Sequence, residues 1–232
     1  MKITSDGLQI LIVLFAIALV PGSLVLYYLH TKNRGILSIA GSGAVAWLVA
    51  SVRSPVLHFV SLLAGKPSTP PVWFIGFSAV LAGVFEEGVR YLFLKFSVED
   101  RSWEAGVAFG LGAGLIEMIL IYCIPLFRIT VFGRVPPAFA QALPGAIERN
   151  LAVLVHIGAA LLVMHSLRVR WMLGVAVFYH SLLDFTAPVL GYHSSFTVWQ
   201  VESVIALFAA IGLIVALVEK HVLRQTAAAT ST

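Results

Sequence analysis

Seven long apolar runs constrain this chain more than any other feature of its sequence. They cover residues 8–29, 35–52, 72–94, 103–124, 151–167, 171–190 and 197–218. A helix of about 20 apolar residues crosses a hydrocarbon core of about 30 Å. The runs therefore predict an all-α bundle of transmembrane helices. Short polar breaks separate them, such as Thr31-Lys32-Asn33-Arg34, Lys66-Pro67-Ser68-Thr69-Pro70-Pro71, Ser97-Val98-Glu99-Asp100-Arg101 and Arg168-Val169-Arg170. Residues 53–65 open with Arg53-Ser54-Pro55 and read either as a kinked continuation of the second span or as an interfacial helix. Full insertion would raise the count from seven spans to eight. Residues 127–149 hold Pro136, Pro137 and Pro144 among apolar residues, which predicts a re-entrant or interfacial segment over a cavity. The first run is long enough to span, unlike the core of a signal peptide.

Composition agrees. Hydrophobic residues make up 59% of the 232 residues and charged residues 11%, against about 45–50% and about 25% in soluble domains. Too few charges exist to coat a globule, which excludes a soluble enzyme, a disordered chain and a nucleic-acid arm. The net charge of +4 reads as Lys and Arg at helix ends, not as a phosphate-tracking surface. The single cysteine, Cys123, excludes an internal disulfide and a multi-cysteine metal site, and it reads as a small buried hydrophobe. Alternate loops divide the basic residues unevenly. Lys32, Arg34, Lys95, Arg101, Arg168, Arg170, Lys220 and Arg224 fall on one side, and Lys2, Lys66, Arg128, Arg134 and Arg149 on the other. The richer side is expected in the cytoplasm, with the N-terminus outside and the C-terminus cytoplasmic. The whole chain reads as one integral membrane domain.

A minority of charged and imidazole groups lies inside the apolar runs: Glu86, Glu87, Arg90, Glu117, His156, His180 and Asp184. A charge at the bilayer centre costs about 2.5–3.5 kcal/mol on insertion scales, so such groups are functional candidates. Counted from the basic residue at the end of each span, Glu86 lies about 14 Å deep, His180 about 15 Å, His156 about 18 Å, Asp184 about 21 Å and Glu117 about 24 Å. Four helices thus place acids and imidazoles in one slab. Glu86–Arg90 and Glu87–Arg90 have i,i+4 and i,i+3 spacing, so Arg90 can pair with either carboxylate. His180 and Asp184 share a helical face at i,i+4. Two histidines with carboxylates could hold Zn²⁺ with an open water position. Without metal, Glu86 could act as general base while the histidines stabilise an oxyanion. The competing reading makes these pairs structural glue between helices. Glu148-Arg149 reads as a cap and anchor for the next span, and His165 as a snorkelling residue at a span end. Gly110, Gly112 and Gly114 read as close helix packing.

At these residues the chain resembles a known family. Glu86-Glu87-Gly88-Val89-Arg90 is similar to the EExxxR motif of the CAAX-processing and bacteriocin-processing (CPBP) intramembrane proteases. His156 resembles their isolated second-motif histidine, and His180-Ser181-Leu182-Leu183-Asp184 their HxxxN/D motif. The finer resemblance is to the YhfC-like intramembrane metalloproteases. It rests on the run from Phe109 to Glu117, and on Glu148-Arg149 followed seven residues later by His156. The motif-bearing core is 72–190. This chain has Ala113 where the YhfC-like pattern has a histidine, and Ala152 where the wider family carries an aromatic residue.

The resemblance implies hydrolysis of a peptide bond in or next to the membrane. Glu86 would activate water and Arg90 would position Glu86 or Glu87. His156 and His180 would bind metal or hold the oxyanion, and Asp184 would complete the site. Glu86, His156, His180 and Asp184 would be the ligands of one divalent metal such as zinc, with Glu117, Glu148 and Arg149 accessory. The expected partners are membrane lipid and a membrane-embedded or prenylated peptide substrate, with no nucleic acid. Two other classes remain open at this point. Buried ionisable groups also build a proton- or ion-coupled transporter, although no internal repeat is visible. Ala113 would suit a catalytically inactive scaffold of the same fold.

Overall fold

A computed structural model describes residues 5–65, 69–133 and 138–229. All regular elements among them are helices. In order they are α1 (Ser5–Lys32), α2 (Ile36–Ala50), a 3₁₀ turn (Ser51–Arg53), α3 (Ser54–Leu63), α4 (Val72–Phe96), α5 (Trp103–Met118), a π turn (Ile119–Cys123), α6 (Ile124–Phe132), α7 (Phe139–Ser166), α8 (Met172–His193) and α9 (Val198–Ala229). They assemble seven helices long and apolar enough to cross a membrane, because α2 joins α3 and α5 joins α6. Large apolar side chains such as Leu24, Phe178 and Leu217 remain exposed on the outside of the bundle, as a lipid-facing surface requires.

The second span resolves as a kinked continuation. Ser54-Pro55 opens α3 directly on the 3₁₀ turn, and the span runs on to Leu63. Proline fits here because the first residues of a helix need no intrahelical N–H partner. The fourth span bends differently. Pro125 has no N–H to offer to the preceding turn, and the chain opens into the π turn Ile119–Cys123 one turn ahead of it.

Among the described residues, no separate re-entrant or interfacial segment stands in the expected range 127–149. Residues up to Phe132 complete α6, and residues from Phe139 onward belong to α7, which continues through Pro144. The Tyr122 hydroxyl donates to the Ala142 carbonyl at 2.9 Å, tying the two helices together beside Pro144. The Pro136-Pro137 break, the Lys66-Pro67-Ser68 break, Lys2 and Arg134 lie outside the described residues. Because α7 starts at Phe139, Glu148-Arg149 sits more than two turns inside the helix and does not cap it.

Helix α7 forms the centre of the bundle, packed against α1, α5, α8 and α9, while α2 packs on α5 and α4 on α8. The glycines of α5 explain the closest of these approaches. A Cβ on Gly110 would stand 2.5 Å from the Ile157 Cα, and one on Gly112 would stand 1.8 Å from the Ala40 carbonyl oxygen. One side of α5 thus presses on α7 beside His156 and the other on α2.

Candidate active site

The buried polar residues converge on a cavity of about 390 Å³. Helix α4 contributes Glu86, α5 Glu117, α7 Glu148, Arg149 and His156, and α8 His180 and Asp184. Glu87 and Arg90 do not line the cavity. They stand behind the imidazoles, and Glu87 is fully buried.

The network is built around those two residues. Arg90 donates from one guanidinium nitrogen to Glu87 Oε1 at 2.8 Å and Oε2 at 2.6 Å. So the i,i+3 pairing forms, and the i,i+4 alternative with Glu86 does not. The other terminal nitrogen of Arg90 meets His156 Nδ1 at 2.9 Å. Arginine has only donors, so His156 Nδ1 must accept. Its proton then resides on Nε2, which donates to Glu117 Oε2 at 2.6 Å. His180 has the opposite arrangement. Its Nδ1 donates to Glu87 Oε1 at 2.6 Å, since a carboxylate paired with arginine only accepts. The His180 Nε2 atom then faces Glu86 Oε2 and Asp184 Oδ2, each at 3.6 Å. The two rings meet edge to face with centroids 6.0 Å apart. One buried carboxylate and one guanidinium therefore fix the tautomer and orientation of both histidines.

Two further arginines neutralise the carboxylates facing the cavity. Arg53 of the 3₁₀ turn reaches Glu86 Oε1 at 2.7 Å. Glu86 Oε2 is buried and has no hydrogen-bond partner among the described residues. Arg149 reaches Glu117 Oε1 at 2.7 Å and also pairs with Glu148. Arg53 has no part in the motif reading. Its one sequence signal is a charge inside an apolar stretch, masked there by the adjacent Ser54-Pro55. Arg149 and Glu148, expected at a helix start, instead serve the cavity wall.

The donor set has the chemistry of a divalent metal site. Glu86, Glu117 and His156 each offer a ligand atom, all within 4.8 Å of one another. Carboxylate and imidazole ligands in a three-residue set with an open position match catalytic zinc sites. Charge also fits. Glu86, Glu87, Glu117, Glu148 and Asp184 surround Arg53, Arg90 and Arg149, so two carboxylate charges lack a guanidinium when the histidines are neutral. A divalent ion, or a protonated imidazole, would offset that excess. Ligation by His156 Nε2 would release the proton now given to Glu117. His180 and Asp184, expected as ligands, border the same cavity but lie outside this compact set. Ala113 is buried and does not line the cavity. Ala152 lies one turn before His156 and does line it.

Seven apolar spans around a buried acid, imidazole and guanidinium cavity define an integral membrane protein with a candidate metal-binding cavity. Residues 13–136 match the family described as YhfC intramembrane metalloprotease. That match covers just over half of the chain, which belongs to this family. The matched region contains Glu86, Glu87, Arg90 and Glu117 and ends before His156. The chain is also 26% identical to the uncharacterized membrane protein YhfC of Bacillus subtilis (strain 168), over 84% of this chain and 89% of that protein.

Proposed function

We propose that this protein hydrolyses a peptide bond in or next to the membrane, with Glu86 activating the attacking water in the central cavity. One observation carries the reading. Glu86 Oε2 is buried, has no hydrogen-bond partner among the described residues, and lies 3.6 Å from Nε2 of a histidine whose other nitrogen is held by Glu87. A free carboxylate oxygen beside an oriented imidazole is what general-base attack by water requires.

Each residue then has a task. Arg53 anchors one oxygen of Glu86 and leaves the other to take the proton of the water. His180, when protonated on Nε2, faces the position where an oxyanion develops. Asp184, the more exposed of the acids, completes the polar wall beside His180. Glu87 and Arg90 do not touch the reacting atoms and are positioning residues. In a metal-loaded form Glu86, Glu117 and His156 would hold the ion, zinc by donor type, and Glu86 Oε2 would then be a ligand in place of the free base. When bound, such an ion polarises a carbonyl and acidifies water. Apolar residues Leu57, Ile121 and Ile205 share the cavity wall, which suits a membrane-embedded or prenylated peptide.

The test is cleavage of a library of membrane-embedded peptides by purified wild type, Glu86→Ala and His180→Ala, with metal content measured on each preparation. The reading predicts cleavage by wild type and loss in both variants. Equal cleavage by all three overturns it.

A further inference from the structure

A second cavity, of about 400 Å³, opens where α7 ends and α5 begins, beside α9. Arg101, His165, Arg168 and Glu219 line it together with apolar Met164 and Leu167. This is a membrane-surface position. Lys220 stands over the Trp103 ring at 4.9 Å, and basic and aromatic side chains gather where spans meet headgroups.

Glu219 makes the cavity informative. It is only 4% exposed. Its Oε1 accepts from His165 Nδ1 at 2.7 Å, so His165 is paired across two helices and does not snorkel freely. Its Oε2 is buried and has no partner among the described residues. A buried acceptor left unpaired is costly, and more so when charged, so this oxygen calls for a donor. The rim has the opposite sign. Arg101 donates to the carbonyl oxygens of Leu94 and Lys95, which holds it at the end of α4 with further N–H groups to spare. Arg168 is exposed and has no ion pair among the described residues.

A simple anion at this cavity would meet the Glu219 carboxylate, and a simple amine would meet two guanidiniums. A zwitterion satisfies both. We infer that the cavity binds the headgroup of a phospholipid carrying a primary amine. The phosphodiester lies against Arg101 and Arg168, and the ammonium donates to Glu219 Oε2. Met164 and Leu167 flank the glycerol and the first acyl carbons. This inference does not depend on the proposed hydrolysis.

Native mass spectrometry of the full chain in detergent tests it. The probes are phosphatidylethanolamine, phosphatidylcholine and phosphatidylglycerol of equal acyl length, and soluble O-phosphoethanolamine. Wild type should retain phosphatidylethanolamine about tenfold better than either other lipid, and the soluble ester should bind far more weakly. In Glu219→Gln the preference over phosphatidylcholine should vanish. Arg168→Ala, a change at an exposed position, should weaken all three lipids while the preference survives. Equal retention of the three lipids by wild type, or an unchanged preference in Glu219→Gln, overturns the inference. Binding of O-phosphoethanolamine as tight as that of the lipid overturns the membrane source.

Discussion

At the residue scale, the Glu87–Arg90 pair is the costliest feature of the site, because both side chains are almost fully removed from solvent. Breaking a buried pair from one side strands the other charge, at about 3–5 kcal/mol. Arg90→Met should therefore lower stability by that order in thermal unfolding in detergent. The double variant Glu87→Gln, Arg90→Met should recover much of the loss, and a double variant no more stable than the single one would contradict the pairing. Arg53→Leu should cost less, because the Arg53 side chain is 15% exposed and water can partly solvate the freed Glu86. Most of these residues are legible in the sequence, because a charge in an apolar run carries a cost that demands a reason. Arg53 is not, since a proline two residues later reads as the end of the span. Nor is the His165–Glu219 bond, which joins residues far apart in sequence at two span ends.

At the element scale, close helix contact holds the site together. A Cβ on Gly83 would meet Ser181 Oγ at 2.2 Å and the Val177 carbonyl oxygen at 2.8 Å, where α4 crosses α8 between Glu86 and His180. Gly83→Ala should push these helices apart and cost about 1–3 kcal/mol, read by thermal unfolding. Gly88, on the same helix, has nothing within 4 Å of its Cβ position. Gly88→Ala should be neutral or should stabilise by up to about 1 kcal/mol. Equal effects of the two changes would contradict the packing. Hydropathy places seven spans correctly, because each must bury about 20 residues in lipid. It misplaces the start of α7, because Pro144, Glu148 and Arg149 lower the apolar signal. A neighbouring helix tolerates that proline, and Glu117 pairs with that arginine. Which face each helix turns inward depends on tertiary packing, and the π turn after Glu117 has no sequence signature beyond Pro125.

At the scale of the whole molecule, the central cavity is a joint of α4, α5, α7 and α8, and a metal bound by Glu86, Glu117 and His156 would tie three of them. Ligand binding to the folded state stabilises it, by about 2.7 kcal/mol at a hundredfold excess over Kd. A chelator should therefore lower the unfolding temperature of the metal-loaded protein, and Glu117→Gln should abolish that difference. An unfolding temperature indifferent to chelator would contradict the metal reading. The central claim is that Glu86 delivers a solvent water to a peptide carbonyl. The most direct measurement is cleavage of a membrane peptide in ¹⁸O-labelled water, analysed by mass spectrometry. The account predicts one solvent oxygen in each new carboxyl group with wild type, and a rate at least about a hundredfold lower with Glu86→Gln. Labelled product formed by Glu86→Gln at the wild-type rate would contradict it.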